Sequence, residues 1–349
     1  MNVILLAAGL GTRLRPLTDI LPKCLMPIHG RPQLEYWLRA LDAACGQGGA
    51  DVLVNTHYLP ELVRAYLAAS PWAARVRQAH EEELLGTGGT LLANSFAAPG
   101  PVMLVHADNL CDADLNAFAG AHIARAAGVA ITMMSFRTDS PRSCGILELD
   151  GRGVVRAFHE KVADPPGNLA NAAVYIVEPE VTAFIASHKR PVVDFSTEVI
   201  PNFKGRIQTW ENTCYHRDIG NVGSFLAAQD EYPAPTPAAP EGPDGWRELC
   251  LRDGGALPRA FAMALAGALE LPFAEGVAAP GGTPALLYAG DDRALEAALS
   301  APKGIAALAP GSIVAIGCSA GAPSLPRSLI QERGCRSLTV CSTTSMIGL

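Results

Sequence analysis

The sequence predicts an α/β protein with a doubly wound, mostly parallel sheet, a small antiparallel insertion and a C-terminal α/β appendage. Three observations predict it. Short apolar runs alternate with stretches of helical spacing from residue 2 to residue 135, the pattern of βαβ units around a parallel sheet. The first run, Val3-Ile4-Leu5-Leu6, passes directly into a glycine loop, as a buried parallel strand does. Hydrophobic residues make up 49% of the chain against 17% charged, which is enough apolar material for a large core.

The elements follow in order. Leu34, Trp37, Leu38 and Leu41 recur at helical spacing within Gln33–Cys45. Asp51–Asn55 reads as a strand, Leu59–Ala69 as a helix and Ala74–Ala79 as a third strand. The alternation continues with a helix over Thr90–Phe96, a strand over Val102–His106, a helix over Asp114–Ala126 and a strand over Val129–Ser135. From Cys144 to Val177 three strands (Gly145–Leu149, Val154–Phe158, Ala172–Val177) come without long helices between them, which predicts the antiparallel insertion. Helices over Pro179–Ser187, Ser196–Phe203 and Gly220–Asp230, with strands near Arg206 and Cys214, complete a first domain spanning 1–231.

Residues 232–245 form a proline-rich linker unfit for helix or sheet. Residues 246–349 are an Ala-rich α/β segment. There Gly311–Gly321 reads as a strand and a glycine-serine turn, Ser324–Arg333 as a helix and Ser337–Cys341 as a strand.

The bulk numbers narrow the function. A net charge of −7 and a pI near 5.6 argue against general nucleic-acid binding, so cations are local tools. Nine cysteines without any Cys-x-x-Cys pair, and no signal peptide, read as reduced thiols in a cytoplasmic protein. No apolar run approaches a membrane span.

The chemistry-bearing stretch follows the first strand: Ala7-Ala8-Gly9-Leu10-Gly11-Thr12-Arg13-Leu14-Arg15, then Pro22-Lys23. Glycines let the backbone approach a ligand, and successive N–H groups form an anion-binding hollow. Arg13, Arg15 and Lys23 add three cations, so a phosphate-rich ligand is the simplest occupant; a plain glycine turn with solvated arginines is the alternative. The P-loop pattern is absent, and Leu14 stands where a dinucleotide fingerprint needs its third glycine.

Gly-x-Gly-Thr-Arg-Leu with a downstream Pro-Lys resembles the sugar-1-phosphate nucleotidylyltransferases, also called nucleotide-sugar pyrophosphorylases. The variant Lys23-Cys24-Leu25-Met26-Pro27-Ile28, with Gly30-Arg31-Pro32, is most similar to their GDP-mannose-type branch. The resemblance runs from about Met1 to Tyr232, and it implies a Rossmann-like nucleotidyltransferase fold. It also implies attack of a sugar-1-phosphate oxygen on the α-phosphorus of an NTP. Arg13 and Lys23 match the catalytic arginine and lysine that bracket the triphosphate, and Leu6, Ala8, Gly9, Gly11 and Thr12 belong to the nucleotide-binding loop.

Glu82-Glu83-Leu84-Leu85-Gly86-Thr87-Gly88-Gly89-Thr90 matches the run that borders the nucleobase, so Gly86, Thr87 and Gly88 join the nucleotide-binding set. A helix start capped by Thr90 is compatible with that role. Guanine is the preferred base and uracil the next.

A Mg²⁺ ion, which favours carboxylates and water, would neutralise the remaining charge. Asp108 and Asp218 stand at the family's metal positions, although each taken alone reads as a turn or cap residue. Asp112 and Asp114 read as caps of the next helix. Gly145, Glu160, Lys161 and Asn171 match the sugar-phosphate side; Val162 replaces a proline there and Ala173 a glycine. His106 reads as cleft lining.

The resemblance therefore implies a GTP-using enzyme acting on mannose- or heptose-1-phosphate for polysaccharide biosynthesis. Its partners would be an NTP and a sugar-1-phosphate, with no nucleic acid and no membrane, and a homo-oligomer is allowed. A non-catalytic nucleotide-sugar-binding regulator is the second reading. The tail faintly resembles half of a sugar-isomerase (SIS) phosphate-binding fold, which leaves a bifunctional chain as the third; a packing or assembly appendage is the plainer alternative.

Overall fold

A computed structural model describes residues 1–233, 245–251, 253, 255–276, 283–300, 308–319 and 330–342. Most of the expected linker, the turn at 320–321 and the first part of the helix expected from Ser324 lie outside these residues. The strands are β1 (Asn2–Leu6), β2 (Pro27–Ile28), β3 (Arg31–Pro32), β4 (Asp51–Thr56), β5 (Val76–His80), β6 (Val102–His106), β7 (Asn109–Cys111), β8 (Ile131–Arg137), β9 (Gly145–Leu149), β10 (Val155–Glu160), β11 (Leu169–Val177), β12 (Ile207–Glu211) and β13 (His216–Asp218). The tail adds β14 (Phe273–Glu275), β15 (Leu286–Asp291), β16 (Ile313–Ser319) and β17 (Arg336–Ser342). The helices are α1 (Gln33–Cys45), α2 (Pro60–Ala68), α3 (Gly86–Ala93), α4 (Leu115–Ile123), α5 (Pro179–Ser187), α6 (Val222–Glu231), α7 (Gly245–Leu251), α8 (Ala256–Ala268) and α9 (Asp292–Ser300).

The chain forms two compact units, and they do not follow the linear division at 231 and 245. One holds Met1–Gly9, Tyr36–Tyr58 and Arg75–Asp218; the other holds Leu10–Glu35, Leu59–Ala74 and Ile219–Leu349.

The first unit is a nine-stranded sheet in the order β10-β9-β11-β6-β1-β4-β5, with β8 joined to β11 and β12 to β8. Strands β5, β4, β1 and β6 run parallel. The order turns back between β1 and β6, where an α/β sheet opens a crevice for a ligand. The strands expected as an antiparallel insertion are antiparallel, and they extend this sheet. β11 lies between β6 and β8, antiparallel to both, and β9 and β10 continue the edge. Its residues Val174, Tyr175, Ile176 and Val177 are buried, because a central strand is covered on both faces. Ile4, Leu53, Leu104, Ile131, Tyr175 and Phe195 meet in one apolar core.

In the second unit β14-β15-β16-β17 form a parallel sheet with its own core of Leu287, Leu295, Val314, Ile316 and Ile330. Among the described residues no helix is long and apolar enough to cross a membrane.

Candidate active site

The carboxyl ends of β1, β4, β5 and β6 open on a pocket of about 190 Å³. Leu6, Ala8 and Gly9 enter it from β1, Asn55 from β4, Glu81 from just beyond β5, and His106 and Asp108 from the end of β6. Leu84, Gly86, Thr87 and Thr90 close it from the turn that opens α3. Five of the residues read from sequence as nucleotide-binding (Leu6, Ala8, Gly9, Gly86 and Thr87) therefore line one pocket together with Asp108. Gly88 is buried behind that turn.

The turn is held by backbone and by a buried carboxylate. Gly86 has φ +71, and a Cβ there would stand 2.7 Å from the Val193 carbonyl oxygen. The Gly88 amide donates to that same oxygen at 2.9 Å, and the Val193 amide donates to Leu85 O at 3.0 Å. These contacts correct the helix expected over Thr90–Phe96: α3 starts at Gly86, the residue that can take the left-handed φ, and Thr90 lies inside it. Its hydroxyl donates to Glu81 Oε1 at 2.6 Å and caps nothing.

Glu81 and Asn55 were not foreseen. The Asn55 amide donates to Glu81 Oε1 at 2.8 Å and accepts the Ala7 amide at 2.7 Å, while Leu85 N donates to Glu81 Oε2 at 3.1 Å. A buried carboxylate needs several donors, and here three elements supply them. The only hint in the sequence was a polar residue closing each of two strand-like runs. His106 does line the pocket, and its Nε2 sits 3.2 Å from the Thr87 hydroxyl.

Asp108 reaches the pocket floor: its Oδ2 would be 4.0 Å from a Cβ placed on Gly9. The next residue, Asn109, begins a two-stranded ribbon in which β7 pairs antiparallel with β13 and Asn109 stands opposite Asp218. The two carboxylates read from sequence therefore lie one register step apart. Among the described residues no group of three or more metal-ligating side chains forms, and Mg²⁺ asks for only one or two protein carboxylates. Asp114 is the helix cap it was expected to be, accepting the Ala117 amide at 2.9 Å. Asp112 is not a cap; its backbone is bound to Tyr215 and Asn212.

The four sugar-side residues gather on β9, β10 and β11. Gly145 faces Glu160 across the β9–β10 pair, and a Cβ there would meet the Phe158 ring at 2.5 Å and Glu160 Oε2 at 2.7 Å. Lys161, at φ +49, places its Nζ 3.2 Å from Glu160 Oε1. Asn171 is fixed at both ends of its amide, donating to the Tyr175 hydroxyl at 2.6 Å and accepting the Ala173 amide at 2.9 Å. Ala173 has φ +55, a left-handed conformation that an alanine adopts at a cost and a glycine takes freely.

That conformation belongs to a bulge between Asn171 and Tyr175. It turns the Ala172 carbonyl toward the ribbon, where His216 Nε2 at 3.0 Å and Asn109 Nδ2 at 3.4 Å meet it. His216 packs on Phe136 at 4.0 Å between ring centroids, and its Nδ1 is buried without a hydrogen-bond partner. Burial pulls its pKa down from 6.5 to about 4.

Gly11, Thr12, Arg13 and Lys23 lie in the other unit. Gly11 has φ +60, and a Cβ there would come within 2.7 Å of Thr18 Cγ2 and 3.3 Å of Lys23 Cβ, so only glycine fits. Three 3₁₀ turns follow, Thr12–Leu14, Leu17–Asp19 and Lys23–Leu25. Arg13 is exposed and Lys23 buried. Arg15 pairs with Asp19 at 3.3 Å. The Thr18 hydroxyl donates to the Gly11 carbonyl at 3.0 Å, and Gln33 Nε2 to the Lys23 carbonyl at 3.2 Å.

Residues 2–234 match the nucleotidyl transferase family. The chain belongs to that family. The transferase match ends before the tail, so the likeness of the tail to a sugar-isomerase fold draws no support from it. Similar proteins include a mannose-1-phosphate guanyltransferase of Candida albicans, 30% identical over 65% of this chain and 63% of its own length. A mannose-1-phosphate guanylyltransferase of Mycobacterium tuberculosis is 31% identical over 68% of this chain and 67% of its own. The chain thus spans about two thirds of the length of these relatives. Among solved structures, HddC from Yersinia pseudotuberculosis has the same fold, with a TM-score of 0.55, 22% identity, and coverage of 66% of this chain and 99% of that one.

Proposed function

We propose that this transferase moves a nucleotidyl group from an NTP, preferentially GTP, to a sugar-1-phosphate of the mannose or heptose kind. A phosphate oxygen of the sugar-1-phosphate forms a bond to the α-phosphorus, the bond from that phosphorus to its β-bridging oxygen breaks, and pyrophosphate leaves. The observation that carries the reading is the pocket at the carboxyl ends of the parallel strands, where Gly9, the Gly86–Thr87 turn and Asp108 converge. The relatives that act on mannose-1-phosphate with a guanylyl group, at about 30% identity, favour guanine and mannose.

In this reading Leu6, Ala8, Gly9, Gly86 and Thr87 receive the nucleoside, with Gly88 holding the turn from behind. Gly11, Thr12, Arg13 and Lys23 take the triphosphate. Gly145, Glu160 and Asn171 meet sugar hydroxyls and Lys161 the sugar phosphate. Two unit charges about 4 Å apart repel by about 4 kcal/mol at an effective dielectric near 20, so bringing two phosphates together is the barrier the residues must lower. Arg13 and Lys23 lower it by neutralising charge, and the strand ends by in-line positioning. Asp108, just before the ribbon, and Asp218 on it would hold a Mg²⁺ ion. When bound, that ion supplies further neutralisation of the phosphate oxygens.

Pyrophosphate release from each common NTP against a panel of sugar-1-phosphates, with and without Mg²⁺, tests the reading. The expected result is release that needs GTP, a mannose- or heptose-1-phosphate and the metal together. No release from any pair would sink it.

A further inference from the structure

The C-terminal segment shares a compact unit with the glycine-arginine loop. Helix α8 packs against the Leu17–Asp19 turn, and β17 lies against β2 and β3, which close the same loop. Within that turn Thr18 is fully buried and its hydroxyl holds the Gly11 carbonyl at 3.0 Å. Gly11 in turn has no room for a side chain, with Thr18 on one side and Lys23 on the other.

The joints around these contacts are apolar and buried. Phe261 of α8 packs edge-on against Phe225 of α6 at 5.9 Å, and Trp246 of α7 against Tyr66 of α2 at 6.5 Å. The Trp246 indole N–H donates to the Val340 carbonyl at 3.0 Å. On the loop's far side Gln229 donates to the Pro27 carbonyl at 2.6 Å and accepts the His29 amide at 3.1 Å. Arg336 of β17 reaches Asp230 at 3.3 Å. Leu14, Leu17, Leu21 and Leu25 of the loop, and Met26 after it, are fully buried.

We infer that the tail is a positioning element for the Gly11–Leu25 loop: α8 seats the Leu17–Asp19 turn, and Thr18 passes that placement to Gly11, Arg13 and Lys23. The role of those cations toward phosphate rests on the proposed reaction; the mechanical link does not. A loop of three 3₁₀ turns has little hydrogen bonding of its own to define one shape, since the turns close two, three and two main-chain bonds in order. Burial of its leucines, with α8 packed on the Leu17–Asp19 turn, supplies what the turns lack. An independent tail domain would leave that loop to open alone.

Native-state hydrogen exchange on the full chain in sub-denaturing urea separates the two cases. The amides of Leu14, Leu25 and Met26, which close the 3₁₀ turns, are expected to exchange through the same opening as those of β15 and β16, with the same urea dependence. Phe261→Ala should then speed both sets by one common factor, about 100-fold or more, as the loss of a buried ring implies. If that variant does not fold, Thr18→Val carries the test. It should raise the KM for the NTP about 10-fold and leave the KM for the sugar-1-phosphate unchanged, and Thr18→Ser should restore the parent value. Loop amides that keep their protection while β15 and β16 open would overturn the inference, as would a Thr18→Val chain with an unchanged KM for the NTP. The exchange experiment needs no turnover, so an inactive enzyme with shared opening would reject the proposed reaction and keep the brace.

Discussion

Two glycine loops, residues 11–25 and residues 85–90, are built by opposite means. The first owes its shape to side chains behind it: Thr18 and Gln33 hold its carbonyls, its leucines are buried, and α8 packs on its Leu17–Asp19 turn. Its cations are the chemistry it offers. The second carries no charge in the turn itself. Its shape comes from main-chain bonds to Val193 and from Glu81, a buried carboxylate that gathers Asn55, Thr90 and Leu85. In the proposed reaction, a loop that meets phosphate can spend its side chains on charge only if other segments fix its backbone. A loop that borders a flat, neutral base, as proposed for residues 85–90, can be fixed by its own backbone and a hidden acceptor.

The largest effect that would break this comparison is on turnover. Asp108→Ala is expected to reduce pyrophosphate release to background with the fold retained, and Arg13→Ala to lower kcat/KM by about 100-fold to 1,000-fold, on the scale of one lost charge-stabilising donor. Steady-state kinetics beside circular dichroism checks both, and an unchanged rate in either would remove that residue from the reaction. Next comes Glu81→Ala, which takes the acceptor from the Thr90 hydroxyl and the Leu85 amide and leaves Asn55 Nδ2 only the Thr90 hydroxyl. It should cost about 3–5 kcal/mol in urea unfolding, whereas Arg13→Ala should cost almost nothing.

Gly86→Ala sharpens the contrast between backbone and side-chain construction. The added Cβ faces the Val193 carbonyl at 2.7 Å with φ +71, so a loss of about 1–3 kcal/mol is expected, with a raised KM for the NTP. The smallest effect concerns the ribbon. With a pKa near 4 in the folded chain and 6.5 as the ordinary value, His216 is neutral in both states above pH 6.5. Between pH 6.5 and 4 the unfolded chain takes up the proton and the folded chain does not, so stability falls as pH falls. Going from pH 7 to 5 should cost about 2 kcal/mol through this group. Urea unfolding of His216→Phe should show a correspondingly flatter profile.

The parallel half of the sheet was legible because β1, β4 and β6 carry apolar runs and the helices between them keep their period; α1 spans the residues its spacing marked. The antiparallel course of β9–β11 was legible from the missing helices between them; the central place of β11 between β6 and β8 was not, because spacing does not tell which strands pair. The start of α3 was misplaced since propensity disfavours glycine in helices, and Gly86, Gly88 and Gly89 are there for a close approach to Pro191 and Val193. The residues expected as a helix over Ser196–Phe203 form a π turn at Phe195–Val199 and a 3₁₀ turn at Ile200–Phe203, where Pro201 lacks an N–H to continue an α-helix. Leu6, Ala8, Gly9, Gly86, Thr87 and Asp108, which line the pocket, stand in motifs readable by order alone. Glu81, Asn55 and His216 were not, since their partners come from distant strands and no spacing rule links them.

The bulge in β11 has a consequence for descent. Asn171 pairs with Ser135 and Tyr175 with Met133, so four steps along one strand match two along its neighbour. The surplus is even, and the alternation of inward and outward side chains resumes unchanged beyond it. Lineages can therefore lengthen or shorten the chain beside Asn171 by two residues at a time, reshaping the acceptor end without turning the central strand inside out. A single-residue insertion or deletion there would expose the core, and such sequences should be missing among its descendants.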